Sequence, residues 1–255
     1  MLTFVGLGLY DEKDITVKGL EAIRAADVVY AEFYTSPLGG KTIQKLQETY
    51  GTRIFVLTRS DLEDHAEEGI LSLAKTQKVV LLCGGDAMIA TTHVDLRLRA
   101  MDMGIQTGLI HAPSISSAVA GLCGLQSYKF GKSATVAPAY KAAAISEVPY
   151  YTVLANKERG LHTLLYLDID MSIRDALRLL GLIEGKKEGE KMLKNSLVVG
   201  IARAGSDKPV VKADYFAALQ NYEFGALPHV LVVPGALHFI EKEALIKIAQ
   251  APEYF

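Results

Sequence analysis

Three stretches of small residues stand where short apolar runs end: Gly6-Leu7-Gly8-Leu9-Tyr10-Asp11, Gly84-Gly85-Asp86 and His111-Ala112-Pro113-Ser114. Glycine lets the main chain approach a ligand with no Cβ in the way. Asp86 offers a carboxylate that accepts charge-assisted hydrogen bonds from amino or hydroxyl groups. Ser114 precedes a helical pattern, so it is placed to cap that helix and, with the open amides of its first turn, to hold a ligand carboxylate. The first stretch suggests a dinucleotide site, but the fingerprint asks for a third glycine where Asp11 stands; Glu32, after the second apolar run, is the ribose acid that keeps this alternative open. No phosphate-loop motif occurs. The six histidines form neither a His-Glu-x-x-His pair nor a cluster with metal spacing. Ser114, Ser116 and Ser117 lack a nucleophile elbow, and Asp168 with Asp170 reads as a polar strand end or a cation pair.

These residues need a scaffold that brings strand ends together. Apolar runs at 2–5, 28–31, 54–57, 79–83 and 106–110 alternate with amphipathic stretches at 17–26, 41–50, 62–75 and 93–102. In the first of these stretches Val17, Leu20, Ile23 and Ala26 line one face and Lys18, Glu21 and Arg24 the other. Such alternation predicts a mostly parallel sheet covered on both sides, with ligands beyond the carboxyl ends of its strands. A small-residue helix is expected over 115–122. Residues 128–151, with Gly131, Pro138 and Pro149, read as strand pieces and loop. Further strands are expected at 162–167, 196–201 and 229–233, with helices at 173–183, 213–222 and 239–249. The charge run at 184–194 reads as a solvated helix end or loop. The fold class is therefore α/β, and 255 residues allow either one large domain or two smaller ones sharing a cleft. A glycine-lined site without hydrolytic, phosphate or metal machinery suits a reaction that needs mainly positioning. Methyl transfer from a sulfonium is one, because the donor already carries a good leaving group.

Composition narrows the partners. The 255 residues are half hydrophobic, and 27 basic against 29 acidic side chains leave a net charge of −2. That balance offers no clustered positive surface for nucleic acid and no polybasic anchor for a membrane. Cys83 and Cys123 read as small buried hydrophobes of a reducing compartment. Without a leader-like start or a bilayer-length apolar run, the expected location is the cytoplasm.

A resemblance adds a more specific expectation. The opening Gly6-Leu7-Gly8-Leu9-Tyr10-Asp11-Glu12-Lys13-Asp14-Ile15-Thr16 resembles that of the diphthine synthase family. So do Ala31-Glu32-Phe33-Tyr34-Thr35-Ser36, Ala90-Thr91-Thr92-His93, His111-Ala112-Pro113-Ser114-Ile115 and the stretch 129–135. In the second half the resemblance is carried by Gly160-Leu161-His162-Thr163-Leu164-Leu165, Ala202-Arg203-Ala204-Gly205-Ser206, Pro228-His229 and Val233-Pro234-Gly235. It implies a tetrapyrrole methylase-like fold of two α/β domains, 1–112 and 113–255, each around a mixed or mostly parallel sheet, with S-adenosylmethionine in the cleft between them, no metal, and a homodimer. It also implies successive N-methylation of the aminocarboxypropyl-modified histidine of translation elongation factor 2, a step toward diphthamide. By motif, the cofactor-binding residues would be Leu9, Asp86, Ile89, Ser114, Ile115, Leu165, Ala204 and His229. Relatives usually carry Pro-Gly-Asp-Pro where this chain has Gly84-Gly85-Asp86-Ala87, so its loop lacks two rigidifying prolines. The alternatives are a same-fold methyltransferase acting on a tetrapyrrole or RNA, a dinucleotide-dependent oxidoreductase, and a non-enzymatic module that docks on the translation factor.

Overall fold

The run Val79–Cys83 has no polar face, so a fold that uses it must cover both of its sides. In the computed structural model, which describes residues 1–34, 43–139, 144–188 and 192–255, all five side chains are at most 3% exposed. The first compact unit, Met1–Ile115, is built around it. Its parallel sheet comprises β1 (Leu2–Gly6), β2 (Val28–Glu32), β3 (Ile54–Val56), β4 (Val79–Cys83) and β5 (Thr107–Ile110), in the order β3-β2-β4-β1-β5. Period-two alternation sends Val5, Val80 and Leu82 to the face packed by α1 (Val17–Arg24) and α2 (Ile43–Tyr50). Phe4, Val79 and Leu81 go to the face packed by α3 (Arg59–Glu63), α4 (Ile70–Ala74) and α5 (His93–Asp102).

The second unit, Ser116–Phe255, holds a mixed sheet. Its strands are β6 (Ala134–Val136), β7 (Thr163–Leu167), β8 (Leu197–Ala202), β9 (Val210–Tyr215) and β10 (His229–Val233), ordered β6-β7-β10-β8-β9. Only β6 and β7 run parallel; the other neighbours are antiparallel. The helices are α6 (Ile115–Cys123), which starts where the units divide, α7 (Val148–Glu158), α8 (Ile173–Gly185), α9 (Phe216–Leu219) and α10 (Phe239–Lys247). The α8 helix starts at Ser172, whose hydroxyl caps the Asp175 N–H at 3.1 Å. It buries Ile173, Ala176, Leu177, Leu180 and Ile183 at helical spacing against the core of Leu165, Val198, Phe216 and Leu231. Each such large aliphatic side chain contributes roughly 1.5–3 kcal/mol of burial.

Three expectations need correction. The stretch 62–75 is not one helix: the Thr58–Asp61 capping box starts α3 earlier, and Gly69 restarts the chain as α4. Residues 213–215 are not helical, because Val210–Tyr215 pairs with β8 and only Phe216–Leu219 turns helical. Residues 128–151 do contain β6, but α7 already begins at Val148, with Pro149 in its first turn. A proline there has no intrahelical N–H bond to lose, so it opens the helix rather than breaking it. The expectations for Thr35 and Ser36, for 41–42, for 140–143 and for 189–191 lie outside the described residues. Among the described residues no helix is long and apolar enough to cross a membrane. Both cysteines are buried and unpaired.

Candidate active site

β4, β1 and β5 are neighbours in the first sheet, so their carboxyl ends open side by side. The loops that leave them are stitched together through glycine. The Gly8 N–H donates to the Gly85 carbonyl at 3.1 Å, and the Gly85 N–H returns to the Gly8 carbonyl at 2.8 Å. Both adopt left-handed backbone, φ +86° and +66°, which a side chain would strain. A Cβ on Gly6 would lie 2.6 Å from the Gly85 carbonyl and 2.8 Å from the Ala112 Cβ, so the β1, β4 and β5 loops touch here. A Cβ on Gly85 would meet nothing within 4 Å, so that side of the loop is open. Leu9 follows in a turn closed by Asp14, whose Oδ2 accepts the N–H groups of Tyr10 at 2.7 Å and Asp11 at 3.0 Å. The first helix then starts only at Val17, capped by Thr16. A dinucleotide fingerprint opens its helix directly at the glycine loop to meet the pyrophosphate, and this turn does not.

Asp86 is 8% exposed. Its Oδ2 accepts from His111 Nδ1 at 2.8 Å and from the Ala112 N–H at 3.3 Å, and its Oδ1 accepts from the Met88 N–H at 3.2 Å. One carboxylate thus ties the β4 exit to the β5 exit. His111 was legible only as part of a motif; its ring is 72% exposed while its partner is enclosed. Ile89 lies on the same loop, with its N–H on the Asp86 carbonyl at 3.2 Å and its side chain exposed. Ser114 is buried just ahead of α6, and Ile115, its first residue, is half-buried. Leu9, Asp86, Ile89, Ser114 and Ile115 therefore all sit on the three exits of one sheet end.

The second-unit candidates sit differently. Leu165 is fully buried, paired with Ala134 on one side and Leu231 on the other. Ala204 follows β8 in a turn where Arg203 (φ +52°) and Gly205 (φ +87°) are both left-handed. The Arg203 guanidinium donates to the carbonyls of Phe224 at 2.8 Å and Ala226 at 3.1 Å. His229 opens β10 opposite Ala202. Its Nε2–H donates to the Ala226 carbonyl at 3.1 Å and its Nδ1 accepts the Ile173 N–H at 3.3 Å. Burial holds this imidazole below the ordinary histidine range, so the ring is neutral.

Several motif residues of the second half build scaffold. His162, fully buried, donates from Nε2 to Glu241 Oε1 at 2.8 Å and accepts the Gly235 N–H on Nδ1 at 3.0 Å. Glu241 also takes Lys129 Nζ, the Gln126 N–H and the His238 N–H. Glu241 was not foreseen. Its only local mark is the capping-box spacing from His238.

The sequence matches the family described as Tetrapyrrole (Corrin/Porphyrin) Methylases over residues 1–212. It is 58% identical over 254 residues to the diphthine synthase of Methanocella arvoryzae, covering 98% of each chain. With that of Methanosarcina barkeri the identity is 53% over 264 residues, covering 100% of this chain and 98% of the relative. A crystal structure of diphthine synthase superposes with a TM-score of 0.90 at 45% identity, covering 98% of this chain and 96% of that one. The chain belongs to the diphthine synthase family.

Family membership makes it a methyltransferase of the tetrapyrrole methylase fold. The β1–β4–β5 mouth fits a donor of that class: glycine keeps the loops low, Gly85 borders open space, and a buried carboxylate stands beside it. The loop around Asp86 carries no proline, yet it is tied in other ways. The Ala87 carbonyl accepts His93 Nδ1 at 3.0 Å, and the Met88 and Ile89 amides both fold back on Asp86.

Proposed function

We propose that the protein transfers methyl groups in succession from S-adenosylmethionine to an amine. The amine is that of the aminocarboxypropyl group on one histidine of translation elongation factor 2, and the product is diphthine. What supports this most is the glycine-lined, Asp86-centred mouth in a chain 58% identical over 98% of its length to a diphthine synthase. The bound donor supplies a methyl group on a sulfonium, a leaving group that needs no acid. The protein's part is to hold and orient. Leu9, Ile89 and Ile115 offer apolar contact, and the Gly6–Gly8 and Gly84–Gly85 main chain lets the donor lie close. Ser114 stands at the head of α6, where the helix dipole favours an anionic group. Asp86, oriented by three hydrogen bonds, offers its carboxylate to the cationic donor. From the second unit we assign Leu165 as apolar packing and Ala204 and His229 as main-chain contacts. The acceptor must arrive as a neutral amine, because an ammonium has no lone pair, and desolvation favours that form. No step calls on a metal.

The same reading carries a homodimer and a cytoplasmic location, where the translation factor resides. Incubation with labelled S-adenosylmethionine and elongation factor bearing the aminocarboxypropyl histidine tests it. The expected result is a mass gain of the factor in methyl steps. An unmodified factor, together with calorimetric binding of NAD rather than S-adenosylhomocysteine, would transfer the site to the oxidoreductase alternative.

A further inference from the structure

Three ligand-type side chains of unlike chemistry meet inside the first unit, on the sheet face away from α1 and α2. Register brings two of them together. Glu32, last residue of β2, pairs with Cys83, last residue of β4, and registered neighbours project from the same face. The third is His93, first residue of α5, whose ring lies 6.3 Å from that of Phe4. The three are 0%, 1% and 2% exposed. A carboxylate oxygen, the thiol sulfur and an imidazole nitrogen lie within 4.8 Å of one another.

The tautomer of His93 is fixed by its surroundings. The Ala87 carbonyl, 3.0 Å from Nδ1, only accepts, so Nδ1 carries the hydrogen. On a neutral ring Nε2 then presents a lone pair, and this buried atom has no hydrogen-bond partner. It stands 3.5 Å from Glu32 Oε1, beyond the usual N–H···O range of about 2.7–3.2 Å. Two ligands bound at about 2.0–2.1 Å around a tetrahedral zinc ion are about 3.3–3.4 Å apart. The gap is longer than a hydrogen bond and close to the spacing of two ligands that share a cation. Tyr34, whose hydroxyl is also buried without a partner, lines with His93 a cavity of ≈ 300 Å³. A water entering from this cavity, on the His93 side of the cluster, would be the fourth ligand.

We propose that Glu32, Cys83 and His93 form a structural site for a divalent transition metal, zinc foremost. Thiolate, imidazole and carboxylate together suit zinc and do not suit magnesium or calcium, which take oxygen alone. On binding, the Cys83 thiol releases its proton to solvent. One thiolate, one carboxylate and a neutral imidazole then balance the two positive charges of the ion, as an enclosed site requires. The ion would clip the end of β2, the end of β4 and the head of α5. Segment 84–92, which carries Asp86 and Ile89, would thereby be held at both ends.

Cobalt(II) added to chelator-stripped full-length protein tests this without any methyl transfer, so the outcome is independent of the proposed function. The expected spectrum has tetrahedral ligand-field bands and a thiolate-to-cobalt charge-transfer band, both displaced by zinc. Cys123→Ser, which leaves Cys83 as the sole thiol, should keep the charge-transfer band, and Cys83→Ser should lose it. His93→Gln should weaken cobalt binding by about 100-fold or more, at or past the upper end of what loss of a supporting contact costs. A folded wild-type protein with no cobalt spectrum, or a charge-transfer band lost in Cys123→Ser, would overturn the proposal and leave His93 and Glu32 as a buried ion pair.

Discussion

At Asp86 one carboxylate accepts from a side chain and two main-chain amides, so different replacements probe different things. Asp86→Asn keeps the shape but turns an NH₂ toward a donor, and a mismatched buried group costs about 1–3 kcal/mol. Calorimetry should show S-adenosylhomocysteine binding roughly 5-fold to 100-fold weaker, since about 1.4 kcal/mol is a decade. His111→Ala removes one largely exposed bond and should cost about 0.5–1.5 kcal/mol of stability. An unchanged dissociation constant for Asp86→Asn would remove Asp86 from the site. The glycines make a second contrast. A Cβ on Gly8 (φ +86°) would lie 2.3 Å from the Asp14 Cβ, whereas on Gly51 (φ +70°) it would meet nothing within 4 Å. Gly51→Ala should therefore cost only the left-handed backbone penalty, about 1–2 kcal/mol. Gly8→Ala should cost more in urea unfolding and should abolish ligand binding as well. The glycine exits, Asp86 and Ser114 were legible because each follows an apolar run. The His111–Asp86 bond was not, because strand adjacency made it and no local spacing announces it. Glu32 was noticed for the wrong neighbour: as a ribose acid it needed only its position, whereas the sheet register sets it against Cys83.

Elements were read well where periodicity had one meaning. All five strands of the first sheet and the apolar stripe of α8 follow directly from it. Where a segment serves two masters the pattern misleads. Ala213, Asp214 and Tyr215 have helical composition, but in the ladder they stand opposite Val199, Val198 and Leu197. At the head of α10, side-chain chemistry rather than periodicity carries the fold. Burial pushes the Glu241 carboxyl up, yet hydrogen bonds from Lys129, Gln126, His238 and His162 more than offset that and hold it at about 2, against an ordinary 4.5. Its contribution is present above pH 4.5 and is lost as the pH falls toward about 2. His162 is held below its ordinary 6.5 by burial. It too favours the folded state above that pH and opposes it on acidification. Glu241→Gln should therefore cost about 3 kcal/mol at neutral pH, since each tenfold change in proton affinity is worth about 1.4 kcal/mol. In urea titrations the gap from wild type should close between pH 4.5 and about 2; a gap independent of pH would mean that Glu241 acts by shape alone.

For the whole molecule, the alternation of apolar runs and amphipathic stretches was enough to give the α/β class, while the division into two units came from the resemblance. The antiparallel pairing of β7, β8, β9 and β10 was not legible, because both kinds of sheet draw on the same β-branched residues. A ligand that binds only the folded chain stabilises it by mass action. S-adenosylhomocysteine at about 100 times its dissociation constant should add about 2.7 kcal/mol. For a chain of this size that is a rise in Tm of roughly 5–10 °C. NAD should leave the melting curve where it was, and scanning calorimetry reads both.

The Glu241 network also sets an order of events for synthesis. Its donors come from Gln126, Lys129, His162 and His238, but their shared acceptor lies near the end of the sequence. A ribosome that has made β6 and β7 has produced a buried imidazole and a lysine with no carboxylate to receive them. The second unit closes only once α10 has emerged, whereas the first can close as soon as β5 is out. Stalled nascent chains ending before α10 should accordingly yield a protease-resistant amino-terminal half and a digestible remainder.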